Sequence, residues 1–328
     1  MSRLLIVGCG SIGARHARNA AALGAGDIGV VDLDAARRAA VAGEVGARGF
    51  ESLEAALDWQ PEIAVICTPP TQHVPAARLC VEAGCDLLVE KPLAASTDGL
   101  DELSTAMARH DAGAAVGYQL RFHPAIARMR ALVRDGALGR LCAVRAEFGQ
   151  YLPDWRPSRD YRETYTAQAA QGGGILLDAS HEIDYLQWIA GTIAGVFARL
   201  ERLSDLAIDV EDTAALVMRI GDGTDNLIGE LHLDCVQRGY SRTCMLIGTN
   251  ATVRWDIASG LRITEASGAV FEERLTAEPN APYLAELDAF LAARDAVEPF
   301  ASIDDARRVL DVVLAARRSA TERHEILL

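Results

Sequence analysis

The sequence predicts an α/β chain in two parts: a doubly wound parallel sheet, then an α+β domain built on an open, mostly antiparallel sheet. Three observations predict it. At 328 residues the chain exceeds what one hydrophobic core usually serves. Its first 120 residues alternate short apolar runs with helical patterns, as a parallel layer does. From about residue 196, strand-like runs instead follow one another with only turns between them.

In the first part, residues 4–7, 28–33, 63–67, 87–89 and 114–117 are runs rich in Ile, Val, Leu and Ala, the pattern of strands buried on both faces. Residues 14–23, 35–42, 52–57, 74–83 and 98–109 read as the helices between them. A turn signal, Thr68-Pro69-Pro70, closes the third run. The texture changes after residue 120, so domains of 1–120 and 121–328 are expected, with the C-terminal helix packing back on the first. In the second part, 124–134 and 172–189 read as helices. Strands are expected at 196–203, 213–220, 226–236, 243–247, 252–256 and 261–265. Gly221-Asp222-Gly223 and Gly248-Thr249-Asn250 supply turns between them, and helices at 283–294 and 303–320 close the chain. Residues 151–171, rich in aromatics and arginine, show no period and read as a functional loop.

Composition excludes several function classes. The chain carries 32 basic and 46 acidic side chains, for a net charge of −14, and the acidic excess runs through both parts. Nucleic acid and anionic membrane surfaces are therefore not expected partners. No apolar run approaches the ~20 residues of a spanning helix, and no cleavable leader precedes the first strand. Seven cysteines without a CxxC pattern fit reduced, buried thiols in a cytoplasmic protein, and no metal site is expected. Among the 32 basic residues, 31 are arginine and one is lysine, Lys91. A site that keeps an ammonium against that bias points to a need for a proton that can be moved, which arginine does not meet.

The residues that carry chemistry start at the first strand. Gly8-Cys9-Gly10-Ser11-Ile12-Gly13 is a GxGxxG turn that follows a strand and opens a helix, the context in which glycines admit a dinucleotide diphosphate. Asp32 ends the second strand, 19 residues beyond Gly13, where a carboxylate accepts hydrogen bonds from the adenosine ribose. With Asp34 it repels a 2′-phosphate, while Arg37 and Arg38 partly offset this, so NAD is expected over NADP. Glu90-Lys91-Pro92 ends the fourth strand, and ligands of such sheets lie outside the carboxyl ends of the strands. Gly172-Gly173-Gly174 leads into a helix on which Leu176, Ala179, Ile183, Leu186 and Ala190 form the apolar side. Asp178, His181, Glu182 and Tyr185 fall on the opposite stripe, offering a carboxylate and an imidazole to a substrate.

These motifs together resemble the Gfo/Idh/MocA family, which includes glucose–fructose oxidoreductase and inositol dehydrogenase. The matching residues are those at 8–13, Asp32, Thr68-Pro69-Pro70 with His73, Glu90-Lys91-Pro92, Arg121-Phe122-His123-Pro124 and the segment 172–184. The resemblance implies a Rossmann domain, an open antiparallel sheet, NAD(P)-dependent oxidation or reduction of sugars and polyols, and homodimers or homotetramers assembled through the sheet. By position, Lys91 matches the family's catalytic lysine, His181 its histidine and Asp178 its aspartate. Many members place the histidine four residues after the aspartate; here the step is three.

The expected cofactor contacts are Gly8, Gly10, Ser11, Ile12, Gly13, Asp32, Thr68, Pro69, His73, Glu90 and Lys91. Expected substrate contacts are Arg121, His123, Tyr151, Trp155, Arg156, Arg162, Asp178 and His181. In the loop, Trp155 or Tyr151 suits stacking on a sugar ring, and Arg156, Arg159 and Arg162 suit a carboxylate or phosphate. The expected activity is hydride transfer between NAD and a secondary hydroxyl of a sugar, polyol or sugar derivative, acidic and nucleotide-linked ones included. The alternatives are an NAD-dependent glycosidase on the same fold and a non-catalytic NAD-binding regulator.

Overall fold

The computed structural model describes residues 2–157, 159–221, 223, 226–294 and 298–328. It divides into two compact units, Met1–Gln119 with Asn280–Arg307, and Leu120–Pro279 with Arg308–Leu328.

The first unit runs β1 (Arg3–Val7), α1 (Ser11–Leu23), β2 (Asp27–Val31), α2 (Ala35–Val45), β3 (Arg48–Phe50), α3 (Leu53–Leu57), β4 (Ile63–Ile66), α4 (His73–Glu82), β5 (Asp86–Glu90), α5 (Leu100–His110) and β6 (Ala114–Gly117). Among the described residues the six strands are all parallel, in the order β3-β2-β1-β4-β5-β6. Leu4, Leu5, Ile6, Ile63, Val65, Leu87 and Leu88 have no exposure, so the sheet is the core, as continuous apolar runs dictate. Strand order reverses between β1 and β4. The residues that leave the carboxyl ends of β1, β2, β4 and β5, namely Gly8, Asp32, Cys67 and Lys91, therefore emerge along one edge of the sheet. The sequence missed β3, whose three residues include only one buried side chain, Phe50.

The second unit contains α6 (Pro124–Arg134), β7 (Leu141–Gly149), α7 (Ile175–Asp178), α8 (His181–Ala190), β8 (Ile193–Glu201), β9 (Thr213–Ile220), β10 (Leu227–Asp234), β11 (Ser241–Gly248), β12 (Ala251–Asp256), β13 (Gly260–Glu265) and β14 (Val270–Glu273). Helix α9 (Ala281–Ala293) belongs to the first unit, the unit boundary falls inside α10 (Ile303–Glu322), and β15 (Ile326–Leu327) ends the chain in the second. The described strands form one sheet, β14-β13-β12-β11-β7-β10-β9-β8-β15, antiparallel throughout except where β7 runs parallel to β10. Its pattern is one-sided: Leu227, Gly229, Leu231 and Leu233 of β10 are buried, and Ile228, Glu230 and His232 between them are exposed.

Three expectations change. Strand β7 lies in mid-sheet, although arginine and glutamate alternating with Val144, Ala146 and Phe148 had hidden it. The helix read over 172–189 is two pieces, interrupted at Ala179 and Ser180. Edge strands β14 and β15 were not expected, and on the stripe opposite the apolar side Glu182 and Tyr185 have no exposure. Of the turn Gly221-Asp222-Gly223, Asp222 lies outside the described residues. Among those residues, no helix is long and apolar enough to cross a membrane.

Candidate active site

In the first unit the glycine turn has separate causes at each position. An added Cβ on Gly13 would sit 1.8 Å from the Gly8 carbonyl oxygen, so the helix closes on the turn only without one. On Gly10 it would meet no protein atom within 4 Å. Packing therefore does not demand glycine at Gly10, and the bare backbone there leaves room for a ligand to approach closely. Gly10 caps α1 without a side-chain acceptor, which leaves the first-turn N–H groups of Ser11, Ile12 and Gly13 available to an anion. The turn fits a dinucleotide diphosphate.

Asp32 is fixed beside that turn. Its carboxylate accepts the Cys9 N–H at 2.7 Å and the Asp34 N–H at 2.8 Å. Asp34 is spent differently: it caps α2 through Ala36 and Arg37, and hydrogen bonds from Arg37 hold its carboxyl below the usual range. Arg38 donates to the Asp32 carbonyl oxygen at 2.7 Å. Both nearby cations are thus engaged.

Beyond β4, Thr68 and Pro69 lead to His73, which is buried. Its Nε2 lies 2.7 Å from the Thr68 carbonyl and its Nδ1 2.8 Å from that of Pro92. Burial lowers its pKa against the pull of these carbonyls, and a neutral ring donates to only one of them. His73 therefore ties the loop after β4 to the loop after β5. Glu90 is also buried, with its carboxylate 2.7 Å from His16 Nε2. Lys91, half-buried, follows at the strand end.

In the second unit, Asp178 ends α7 and His181 begins α8, both nearly buried. Asp178 is held by two hydroxyls that sequence reasoning missed: Tyr165 Oη donates to Oδ1 at 2.5 Å and Thr166 Oγ1 to Oδ2 at 2.6 Å. The glycine triplet makes that possible. A Cβ on Gly173 would lie 2.3 Å from the Tyr165 carbonyl oxygen, and one on Gly174 2.2 Å from Glu211 Oε1. The close approach that this triplet admits is the protein's own loop and a half-buried carboxylate. Burial raises the Glu211 pKa, opposed by Arg317.

Several expected substrate contacts have internal partners. Arg121 is 3% exposed, gives Asp184 a two-pronged ion pair at 2.6 and 3.0 Å and lies over the Trp188 ring. His123 caps α6 by accepting the Ala125 N–H, and burial, with Arg242 nearby, lowers its pKa to about 4. Arg242 pairs with buried Glu182 at 2.8 Å. In the loop, Arg162 is bound to Asp160, whose carboxyl its hydrogen bonds hold near 2. Trp155 donates to the Gln150 carbonyl, and the Arg238 guanidinium covers Tyr151 at 3.5 Å. Arg159 donates to the Glu163 carbonyl, whereas Arg156 lines a narrow cavity with Trp155, Tyr161 and Thr166.

His16 was findable, since it lies three residues after Gly13 on the packed face of α1. Tyr165 and Thr166 were not, because an aperiodic loop gives no face to read.

Two family models cover most of the chain. That of an oxidoreductase family with an NAD-binding Rossmann fold matches residues 2–118, and that of a GFO/IDH/MocA C-terminal domain matches 126–254. A myo-inositol dehydrogenase of Streptomyces leeuwenhoekii is 30% identical over 345 residues, covering 96% of each chain. Inositol 2-dehydrogenase 3 of Saccharopolyspora erythraea is 32% identical across 77% of this chain and 72% of its own. Among solved structures, GenD2 from gentamicin A biosynthesis, in complex with NAD, is 27% identical, with a TM-score of 0.83 and 100% and 96% coverage.

Proposed function

The chain belongs to the Gfo/Idh/MocA family of oxidoreductases, and from that premise we propose that it oxidises a secondary hydroxyl of a cyclic polyol, sugar or sugar derivative with NAD. The observation that carries the reading is the edge of the first unit's sheet. An anion-directed glycine turn, a fixed Asp32 and the sole lysine of the chain leave the ends of β1, β2 and β5 there. The inositol dehydrogenases among the relatives support a polyol or related ring as substrate.

When bound, NAD supplies the hydride acceptor. Around it, the N–H groups at Ser11, Ile12 and Gly13 neutralise the diphosphate, and Asp32 accepts from the ribose hydroxyls. A 2′-phosphate meets the Asp32 carboxylate while Arg37 and Arg38 are already engaged, which favours NAD over NADP. Lys91 removes the hydroxyl proton and His181 polarises the substrate oxygen. Asp178 acts by holding the 165–166 turn. Arg156, which has no ion pair among the described residues, suits a substrate carboxylate or phosphate. We further assign the protein to the cytoplasm and its self-association to the open face of the second sheet, where Phe197, Val217 and Ile228 are exposed.

The test is a panel of inositols, sugars, sugar acids and nucleotide-sugars, followed by NADH absorbance. At least one is expected to give NADH. Lys91→Arg and His181→Ala are each expected to lower kcat by ~10²-fold or more, with NAD titrations little changed. Absence of NADH across the panel, or a fully active Lys91→Arg, overturns the reading.

A further inference from the structure

Lys91 is anchored from both sides. After it, the Pro92 carbonyl is held by His73 from α4. Before it stands Glu90, a carboxylate only 4% exposed. One Glu90 oxygen lies 2.7 Å from His16 Nε2, and the other accepts the Lys91 main-chain N–H at 3.2 Å. Strand β5 pairs with β6 as far as Glu90 opposite Gly117, so this N–H lies just past the end of the ladder. The carboxylate packs flat against β6, where a Cβ on Gly117 would be 3.3–3.4 Å from its atoms. His16 has no exposure, and its Nδ1 has no hydrogen-bond partner among the described residues. The tautomer with its proton on Nε2 therefore leaves no buried donor unpaired.

Stability alone does not account for this arrangement. A buried carboxylate and imidazole cost desolvation that an apolar pair of the same volume avoids. What an apolar pair does not supply is a directional acceptor for the Lys91 N–H, tied to the helix whose first turn faces the diphosphate.

We propose that His16 and Glu90 form a positioning pair that locks the main chain at Lys91 to helix α1. The proton-transfer lysine and the diphosphate-binding turn are then held as one piece. This rests on the reading of Lys91 given above. Both side chains are buried, and the pair acts through residue 91, where a displacement of about 1 Å costs up to ~10²-fold in rate.

The closing experiment uses the sole lysine as a probe. Reductive methylation with ¹³C-formaldehyde gives one side-chain lysine signal in the cofactor-free protein, read beside kcat, KM and NAD affinity. His16→Leu is expected to move that signal and to lower kcat at least 10-fold, with NAD affinity within about 3-fold of the parent. Glu90→Gln, which keeps one acceptor, is expected to fall between. His16→Gln, which restores an N–H donor of similar reach, is expected to recover most of the rate and return the lysine signal. An unmoved signal and unchanged kcat in His16→Leu overturn the proposal, as does a loss of kcat matched by an equal loss of NAD affinity. If the parent forms no NADH with any substrate of the panel, the functional reading fails, and the lysine signal still decides whether the pair positions residue 91.

Discussion

Two glycine-led turns open helices in this chain, and Gly10 in the first is glycine for a different reason from Gly173 and Gly174 in the second. At Gly10, in the first unit, an added Cβ meets no protein atom within 4 Å. At Gly173 and Gly174, in the second, it would overlap the Tyr165 carbonyl and the Glu211 carboxylate, at 2.3 and 2.2 Å. The first turn packs at Gly8 and Gly13 but is open at Gly10; the second is filled by the protein at Gly173 and Gly174. Counting glycines does not separate the two, and asking what each missing Cβ would touch does. The second turn, whose glycines admit either a ligand or another backbone, seats the loop that carries Tyr165 and Thr166 onto Asp178.

The largest effect that sharpens this contrast is Gly173→Ala. Three backbone carbonyls, from Tyr165, Thr166 and Gln168, lie within 2.8 Å of the new methyl group. Backbone does not yield as a side-chain tip does, so a loss of about 3 kcal/mol, the upper part of the overpacking range, is expected in denaturant unfolding. An unchanged midpoint would remove the second turn from the comparison.

Gly10→Ala is the mirror test. Thermal unfolding of the cofactor-free protein is expected to stay within about 1 °C, since no contact is lost and an alanine loses less chain entropy on folding than glycine. NAD affinity is expected to fall about tenfold or more, about 1.4 kcal/mol. A destabilised protein with intact NAD affinity would mean that both turns serve packing.

Asp32→Ala tests what the first turn admits. The carboxylate accepts two backbone N–H groups and faces the ribose end of the cradle. Removing it is expected to weaken NAD binding several-fold and to narrow the gap to NADP to roughly a tenth of the parent's, read by titrating both cofactors. A parent that binds NADP as tightly as NAD would reverse the assignment.

How far the sequence was legible follows the same divide. The inner strands of the parallel sheet were readable because they are buried on both faces and so apolar without interruption, as in Leu4, Leu5, Ile6 and Val7, whereas β3, with only Phe50 buried, was not. Strands β8 to β13 of the second sheet were readable as runs separated by turns, and its short edge strands β14 and β15 were not. Strand β7 was not, because its outward Arg145 and Glu147 carry helix-like residues, and one isolated strand lacks a hairpin turn to announce it. At the site, the glycine turn, Asp32 and Lys91 stand at strand ends, where sequence position fixes structural position. Asp178 is different. Its place on a helix was readable, but its partners come from a loop without period, and only the folded chain brings Tyr165 and Thr166 to it. Glu90 was read as a cofactor contact because it adjoins Lys91; its burial against His16 depends on packing between β5 and α1 that no local pattern encodes.

The smallest effect concerns the loop that the second turn seats. Tyr165→Phe removes one of two hydroxyls on Asp178 and leaves Thr166 Oγ1 at 2.6 Å in place. The phenyl ring stays, so packing changes little and the loss is that of one hydrogen bond to a charged group, lessened by the remaining donor. A destabilisation of about 1 kcal/mol is expected. Asp178→Asn, which keeps the shape but removes the charge that strengthens both bonds, should lose somewhat more. If the Asp178 carboxylate serves chiefly to seat the loop, the two variants should raise KM for substrate more than they lower kcat. His181→Ala should do the opposite, because the proposed reaction uses this side chain directly. A fall in kcat with unchanged KM in Tyr165→Phe would instead place Asp178 at the reacting centre. The two glycine-led turns would then differ in what fills them, while both would serve chemistry directly.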